Sequence, residues 1–220
     1  MILVVVPAHN EAKQIGRVVR GLFEHGWKDI VVIDDGSTDD TAGEATRAGA
    51  KVLTHVINRG QGAALQTGDE YARAIGAEIV VHFDGDDQMN PGDIGPAIDV
   101  LKNNSADVLV GSRFLDVRSR LPWSKKYLLL PISRLINYLF TGVWMSDAHN
   151  GFRILNSRAL AVITIRQDGM AHNTEIICQV KKHHLKLIEF PVEVRYHEYG
   201  QGIGGGVRII TDLIKELMMR

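Results

Sequence analysis

One cysteine, Cys178, stands in 220 residues, which excludes an intrachain disulfide and fits a reducing compartment. Nine histidines are present, but no H-E-x-x-H and no Cys/His cluster at zinc spacing accompanies them, which speaks against zinc chemistry. Neither charge sign dominates. A formal net charge of −1 argues against nucleic-acid binding through an overall basic surface. No apolar run approaches the roughly 20 residues that cross a bilayer. The N-terminus, Met1 to Val6, turns polar too soon for a signal peptide, so a cytoplasmic protein is expected. A P-loop is missing, and so is a G-x-G-x-x-G after the first apolar run, which disfavours a Rossmann dinucleotide site.

What is present reads as an α/β protein. Val- and Ile-rich runs at 2–6, 30–34, 51–56, 79–83 and 107–111 alternate with helical patterns near 11–25, 39–48, 61–76 and 91–103. That alternation predicts a mostly parallel central sheet covered by helices on both faces. Asn90-Pro91 supplies an N-cap and a first-turn proline for the last of these helices. The character changes after about residue 115, so one domain over 1–220 is expected, with a nucleotide-binding half (1–115) and an acceptor-binding half (116–220). Segment 116–146 opens with Arg118, Arg120, Lys125 and Lys126, then places Leu135, Ile136, Leu139, Phe140 and Val143 at helical spacing. It is either an amphipathic helix on the sheet or an interfacial helix at a lipid surface. A last helix is expected near 205–219, with Val207, Ile210, Leu213, Ile214 and Leu217 on one face.

Chemistry concentrates at the ends of the apolar runs, where open α/β sheets bind ligands. Phe83-Asp84-Gly85-Asp86-Asp87-Gln88 is a D-x-D at the end of a buried strand, and residues two apart on a strand share a face. Asp84 and Asp86 would thus aim two carboxylates at one point, a seat for Mg²⁺ or Mn²⁺ shared with substrate phosphates. The first run ends in Pro7-Ala8-His9-Asn10-Glu11 and the second in Asp34-Asp35-Gly36-Ser37-Thr38-Asp39. A carboxylate there can accept hydrogen bonds from a base or from ribose hydroxyls, and Gly36 permits close backbone approach. Ser37, Thr38 and Asp39 equally suit the N-cap of the next helix.

Together these segments resemble the family 2 inverting glycosyltransferases of GT-A fold, in the dolichyl-phosphate mannose synthase-like branch. The same resemblance extends through Asn58-Arg59-Gly60-Gln61-Gly62, Gly111-Ser112-Arg113-Phe114 and Asp147-Ala148-His149-Asn150-Gly151-Phe152-Arg153, all in family order. It implies nucleotide contacts from Pro7, Ala8, Asn10 and Glu11, with Asp35 near the base or ribose and Asp84 beside the ribose. Gln61 and Gly85 fall in the same donor-binding motifs. Asp86 and Gln88 would hold the metal against the diphosphate, and Arg113 would meet phosphate oxygens.

The expected reaction moves a hexose, mannose or glucose, from a GDP- or UDP-sugar to a polyprenyl phosphate. Negative charge develops on the departing diphosphate, where a divalent cation and Arg113 stabilise it. A hydroxyl acceptor would need a carboxylate base, for which Asp147 and Glu175 are the candidates; either could instead cap a helix. A lipid phosphate is already ionised near neutrality and needs none. Gln61 replaces the usual lysine of its motif, and His197 to Gly206 departs from the branch; its glycine-rich part, 200–206, has a mobile loop over the site or a linker to the last helix as its two readings. The alternatives are a soluble or glycan hydroxyl acceptor and a non-catalytic sugar-nucleotide-binding module; peripheral membrane contact is expected and the oligomeric state is not readable.

Overall fold

The structure, a computed structural model, describes residues 1–115, 138, 141–147 and 150–194. The apolar runs form β1 (Ile2–Ala8), β2 (Ile30–Asp34), β3 (Lys51–Thr54), β4 (Ile79–His82) and β5 (Val108–Ser112). Between them lie α1 (Ile15–Glu24), α2 (Thr41–Arg47), α3 (Gln61–Ala74) and α4 (Ile94–Asn103). A short 3-10 turn, Pro91–Asp93, precedes α4, and the Asn90 side chain caps it by accepting from Gly92 N–H. Beyond β5 follow β6 (Arg153–Asn156), α5 (Ser157–Val162), α6 (His172–Lys182) and β7 (Leu187–Pro191).

The seven strands form one sheet in the order β3-β2-β1-β4-β6-β5-β7. All neighbours pair parallel except those of β6, which runs antiparallel to both β4 and β5. From β1 the chain steps outward to β2 and β3, then returns to place β4 on the other side. The order reverses between β1 and β4, and ligands bind at the carboxyl ends of strands flanking such a reversal.

Burial on both faces explains the near-continuous apolar runs. Val4, Val6, Val32, Val81 and Ile154 pack against Ile15, Val18, Val19 and Leu22 of α1 and against Ile94, Ile98 and Leu101 of α4. Their neighbours Leu3, Val5, Val31, Val80 and Leu155 face α3, α5 and α6, meeting Leu65, Leu160, Ile176 and Val180. The α1 residues recur at i, i+3, i+4 and i+7, which is why this segment is a helix with one stripe turned to the sheet.

Boundaries differ from the sequence expectation where backbone groups are taken up locally. Helix α1 begins at Ile15 rather than near 11, because the Glu11 carbonyl accepts from both Gln14 N–H and Ile15 N–H in a turn. Strand β3 stops at Thr54, since Thr54 is its last residue paired with β2. Of the basic-apolar segment 116–146, Tyr138 and Thr141 are helical, while its four cations and Leu135, Ile136, Leu139 and Phe140 lie outside the described residues. So do the glycine-rich stretch 200–206 and the helix expected at 205–219.

Candidate active site

Asp84 and Asp86 do converge, though not by the strand pleat. Strand β4 ends at His82, and the D-x-D lies on the turn beyond it, with Asp87 at φ 63°. Asp86 Oδ1 accepts from Gln88 N–H at 3.1 Å, closing the turn. Asp87 is drawn aside to Arg17 of α1, 3.1 Å from Nε. The result is a cleft lined by Asp84, Asp86, Gln88, Met89, Arg113, Asn150, Gly151 and Val194. Gly85 sits in the turn against the carbonyl of the buried Pro7, with the Ala8 methyl beside it.

Carboxylate crowding gives the cleft its electrostatic character. Burial pushes the Asp84 carboxyl up to about 6, and the charge of Asp86 adds to the push. Glu11 is raised as well, first by burial, then by the charges of Asp86 and Asp39. Repulsion that centres on Asp86 is what a divalent cation relieves. No group of three or more His, Cys, Asp or Glu residues is placed to hold a metal among the described residues. The oxygen donors Asp86 and Gln88 therefore suit a hard ion that completes its shell with water and substrate phosphate, as Mg²⁺ does.

The loops after β1 and β2 are stitched to one another. Asn10, at φ 58°, donates its backbone N–H to Ser37 Oγ and accepts at Oδ1 from Thr38 N–H at 2.8 Å. Glu11 N–H donates to Thr41 Oγ1, and Ala12 N–H to Asp39 Oδ2. Among the three capping candidates it is Asp39 whose carboxylate takes the Thr41 N–H at the start of α2.

Asp35 is occupied by the protein itself. Its carboxylate accepts from Arg59 N–H at 2.9 Å and Gly60 N–H at 2.6 Å, and pairs with His55 Nδ1 at 2.6 Å. Burial opposes its charge, but these bonds outweigh burial and hold the carboxyl below the usual range. Gly36, at φ +64°, is where residues 57–58 come close, since a Cβ there would stand 2.5 Å from Asn58 N. The close approach foreseen for Gly36 is thus made by the chain's own loop. Gln61 opens α3 and donates Nε2 to Asp84 Oδ1 at 2.9 Å, tying that loop to the D-x-D.

On the other wall, Arg113 grips the buried Asp147 with both ends of its guanidinium, Nε to Oδ2 at 2.7 Å and Nη2 to Oδ1 at 2.8 Å. Glu189 of β7 holds the loop carrying Asp147 by accepting from Ser146 N–H and Ser146 Oγ–H. Asp147 is therefore the partner that aims Arg113, a poor arrangement for a proton-accepting base. Glu175 stands elsewhere. In the first turn of α6 it accepts from Arg166 N–H and Gln167 N–H, both at 2.9 Å, and does not line the cleft.

Met89 and Val194, which line the cleft and are joined by an antiparallel bridge, were not foreseen, and neither was Arg153 as a fully buried cation. The Asn150–Arg153 stretch carried a motif signal; Met89 and Val194 carried none.

The profile of the family described as "Glycosyl transferase family 2" matches residues 3–164. An uncharacterized protein of Methanocaldococcus jannaschii is 34% identical over 223 residues, covering 100% of this chain and 91% of that protein. The UDP-N-acetylglucosamine–dolichyl-phosphate N-acetylglucosaminyltransferase of Methanococcus voltae is 31% identical over 240 residues, covering 100% and 95%. Among solved structures, glucosyl-3-phosphoglycerate synthase from Mycobacterium tuberculosis, in complex with Mn²⁺ and UDP-glucose, superposes with a TM-score of 0.72. That match covers 98% of this chain and 78% of the synthase at 20% identity, and establishes the GT-A fold alone.

Proposed function

Because the chain belongs to glycosyl transferase family 2 and is a glycosyltransferase, we propose that it transfers a sugar, with inversion, from a nucleoside diphosphate donor to a polyprenyl phosphate. The observation that carries this reading is the cleft at the sheet's reversal point, where Asp84, Asp86 and Gln88 face Arg113. A UDP-sugar is favoured over a GDP-sugar by the Methanococcus voltae relative, a UDP-N-acetylglucosamine–dolichyl-phosphate N-acetylglucosaminyltransferase by name, which matches along the whole chain.

Asp86 and Gln88 would hold Mg²⁺ or Mn²⁺, which when bound neutralises charge on the departing diphosphate. Arg113, preset by Asp147, offers its guanidinium to phosphate oxygens, and a preorganised donor costs no reorientation as charge forms. Pro7, Ala8, Asn10 and Glu11 border the nucleotide. Asp35 shapes the 55–60 loop beside it, and Asp84 with Gly85 and Gln61 forms the wall next to the ribose.

The placement of Asp147 and Glu175 favours a phosphate acceptor over a hydroxyl. One is locked to Arg113 and the other caps the 166–167 backbone, whereas an ionised phosphate needs no base. None of the described helices is long and apolar enough to cross a membrane. Peripheral contact is supported by exposed aromatic rings beside segment 116–137: Tyr138 and Trp144 pack edge to face at 5.7 Å.

The test offers UDP-N-acetylglucosamine, UDP-glucose and GDP-mannose, each labelled in the sugar, to a short polyprenyl phosphate with Mn²⁺. An organic-extractable product that disappears with EDTA is expected. Metal-dependent donor binding without any lipid product would transfer the reading to a hydroxyl acceptor.

A further inference from the structure

Strands β4 and β6 pair antiparallel with His82 opposite Arg153. The same register continues past the end of β4. Phe83 meets Phe152, ring centroids 6.5 Å apart, on the face that packs α1 and α4. One step further Asp84 falls opposite Gly151, on the face shared with His82 and Arg153.

At that point the two residues compete for one space. A Cβ on Gly151 would lie 2.2 Å from Asp84 Oδ2 and 2.6 Å from Oδ1. Gly151 is not at positive φ, so backbone freedom is not what calls for glycine there. The carboxylate of Asp84 fills the room that a side chain would take.

Two residues along, Arg153 is 1% exposed. Its Nη2 donates to Asn173 Oδ1, while Nε and Nη1 have no hydrogen-bond partner among the described residues. A buried guanidinium so sparsely bonded depends on nearby negative charge. The carboxylates acting on it are Asp84, Asp147 and Asp69, with Asp84 foremost. Asp69 is hydrogen-bonded to the His82 ring at 2.8 Å and Asp147 to the Arg113 guanidinium, whereas the side chain bonded to Asp84 is the amide of Gln61. Gln61 completes its setting with a neutral donor.

We propose that Gly151 and Arg153 are positioning residues for Asp84: the glycine leaves the space its carboxylate fills, and the buried guanidinium supplies the counter-charge that keeps it there. Phe152, between them, faces away and anchors the strand to the opposite core. This rests on the reading of the cleft as the donor site.

The test is a pair of double-mutant cycles, Gly151→Ala with Asp84→Ala and Arg153→Met with Asp84→Ala. Each is read by thermal unfolding of the metal-free protein and by Mn²⁺-dependent binding of UDP. Gly151→Ala alone is expected to lower Tm and to weaken UDP binding about tenfold, with most of the loss of Tm cancelled once Asp84 is truncated. Arg153→Met is expected to lose less Tm in the Asp84→Ala background than in the wild type. Phe152→Leu, on the other face, should lower Tm and leave UDP affinity unchanged.

A Gly151→Ala protein that folds only together with Asp84→Ala would be the extreme form of the expected coupling. Additive losses of Tm in both cycles would overturn the proposal, and so would a loss of UDP affinity in Phe152→Leu equal to that in Gly151→Ala. Should the wild type bind neither UDP nor GDP, the donor-site reading falls. The melting cycles then decide alone: coupling supports the placement of Asp84, and additivity refutes it.

Discussion

The two walls of the cleft are built on different principles. On one side, loops after β1, β2 and β3 bond mainly to one another: Asn10 to Ser37 and Thr38, Asp35 to the backbone at Arg59 and Gly60. On the side where antiparallel β6 enters the sheet, charged side chains act on one another: Arg113 grips Asp147, and the charge of Arg153 acts on Asp84. That side also gathers buried polar atoms without a hydrogen-bond partner among the described residues, on Asp69, His82, Asn150 and Arg153. Neutral and charge-assisted bonds to backbone hold the first wall rigid, whereas the second depends on balanced charge. Losses on the first wall should therefore register chiefly as stability, and losses on the second as function, with or without a loss of Tm.

Asp86→Ala should show the contrast most sharply. Removing the carboxylate proposed to hold the metal is expected to cost about 10³-fold or more in metal-dependent turnover, with Tm held or slightly raised because repulsion on Glu11 and Asp84 is relieved. Wild-type turnover in that variant would sink the metal assignment. Next in size is Asp147→Asn, which keeps the shape but weakens the grip on Arg113. Turnover should fall about 10²-fold with the pH profile unmoved, since Asp147 acts through Arg113 and not as a base. Loss of the acidic limb of a pH–rate profile, where a base must shed its proton to work, would instead restore Asp147 as the proton acceptor.

How much of this was legible in sequence follows from the range of the interactions. Strands β1, β2, β4 and β5 were readable because burial on both faces leaves continuous Val/Ile runs, and the position of the D-x-D follows from the end of one of them. The direction of β6 was not, since antiparallel pairing of Arg153 to His82 is a contact 71 residues apart with no local signature. For the same reason Glu175, foreseen as a possible cap or base, resolves only when residues 166–167 are seen to fold back on α6. The hold of Asp35 on the 55–60 loop was not legible, because its bonding partners lie 20 to 25 residues downstream in a different loop.

The two walls should also titrate in opposite directions. The Asp84 carboxyl sits at about 6 in the folded protein and near 4 when unfolded, so between those values the native state holds a proton that the unfolded chain does not. Lowering pH through 6 should therefore raise the Tm of the metal-free protein while it weakens Mn²⁺ binding, and Asp84→Asn should flatten that limb. Asp35 is held below its ordinary value, so its contribution is complete above about pH 4 and is lost as pH falls further. Thermal melts from pH 8 to 3 on wild type, Asp84→Asn and Asp35→Asn separate the two. A rise in Tm below pH 6 that persists in Asp84→Asn would assign the shifted carboxyl elsewhere.

The smallest effect belongs to the residue that left the site. Glu175→Gln keeps one carbonyl oxygen facing the N–H groups of Arg166 and Gln167 but removes the charge from two charge-assisted bonds at an exposed position. About 1 kcal/mol of stability should go, read as a drop in Tm of a few degrees, with turnover within about twofold of wild type. The segment it holds packs on the start of α3, where Gly62 N–H donates to the Asp168 carbonyl at 2.8 Å, and Gln61 of that same turn reaches Asp84. A much larger loss of turnover, with Tm unchanged, would mean that Glu175 acts on the acceptor itself, and the case for an acceptor that needs no base would fail with it.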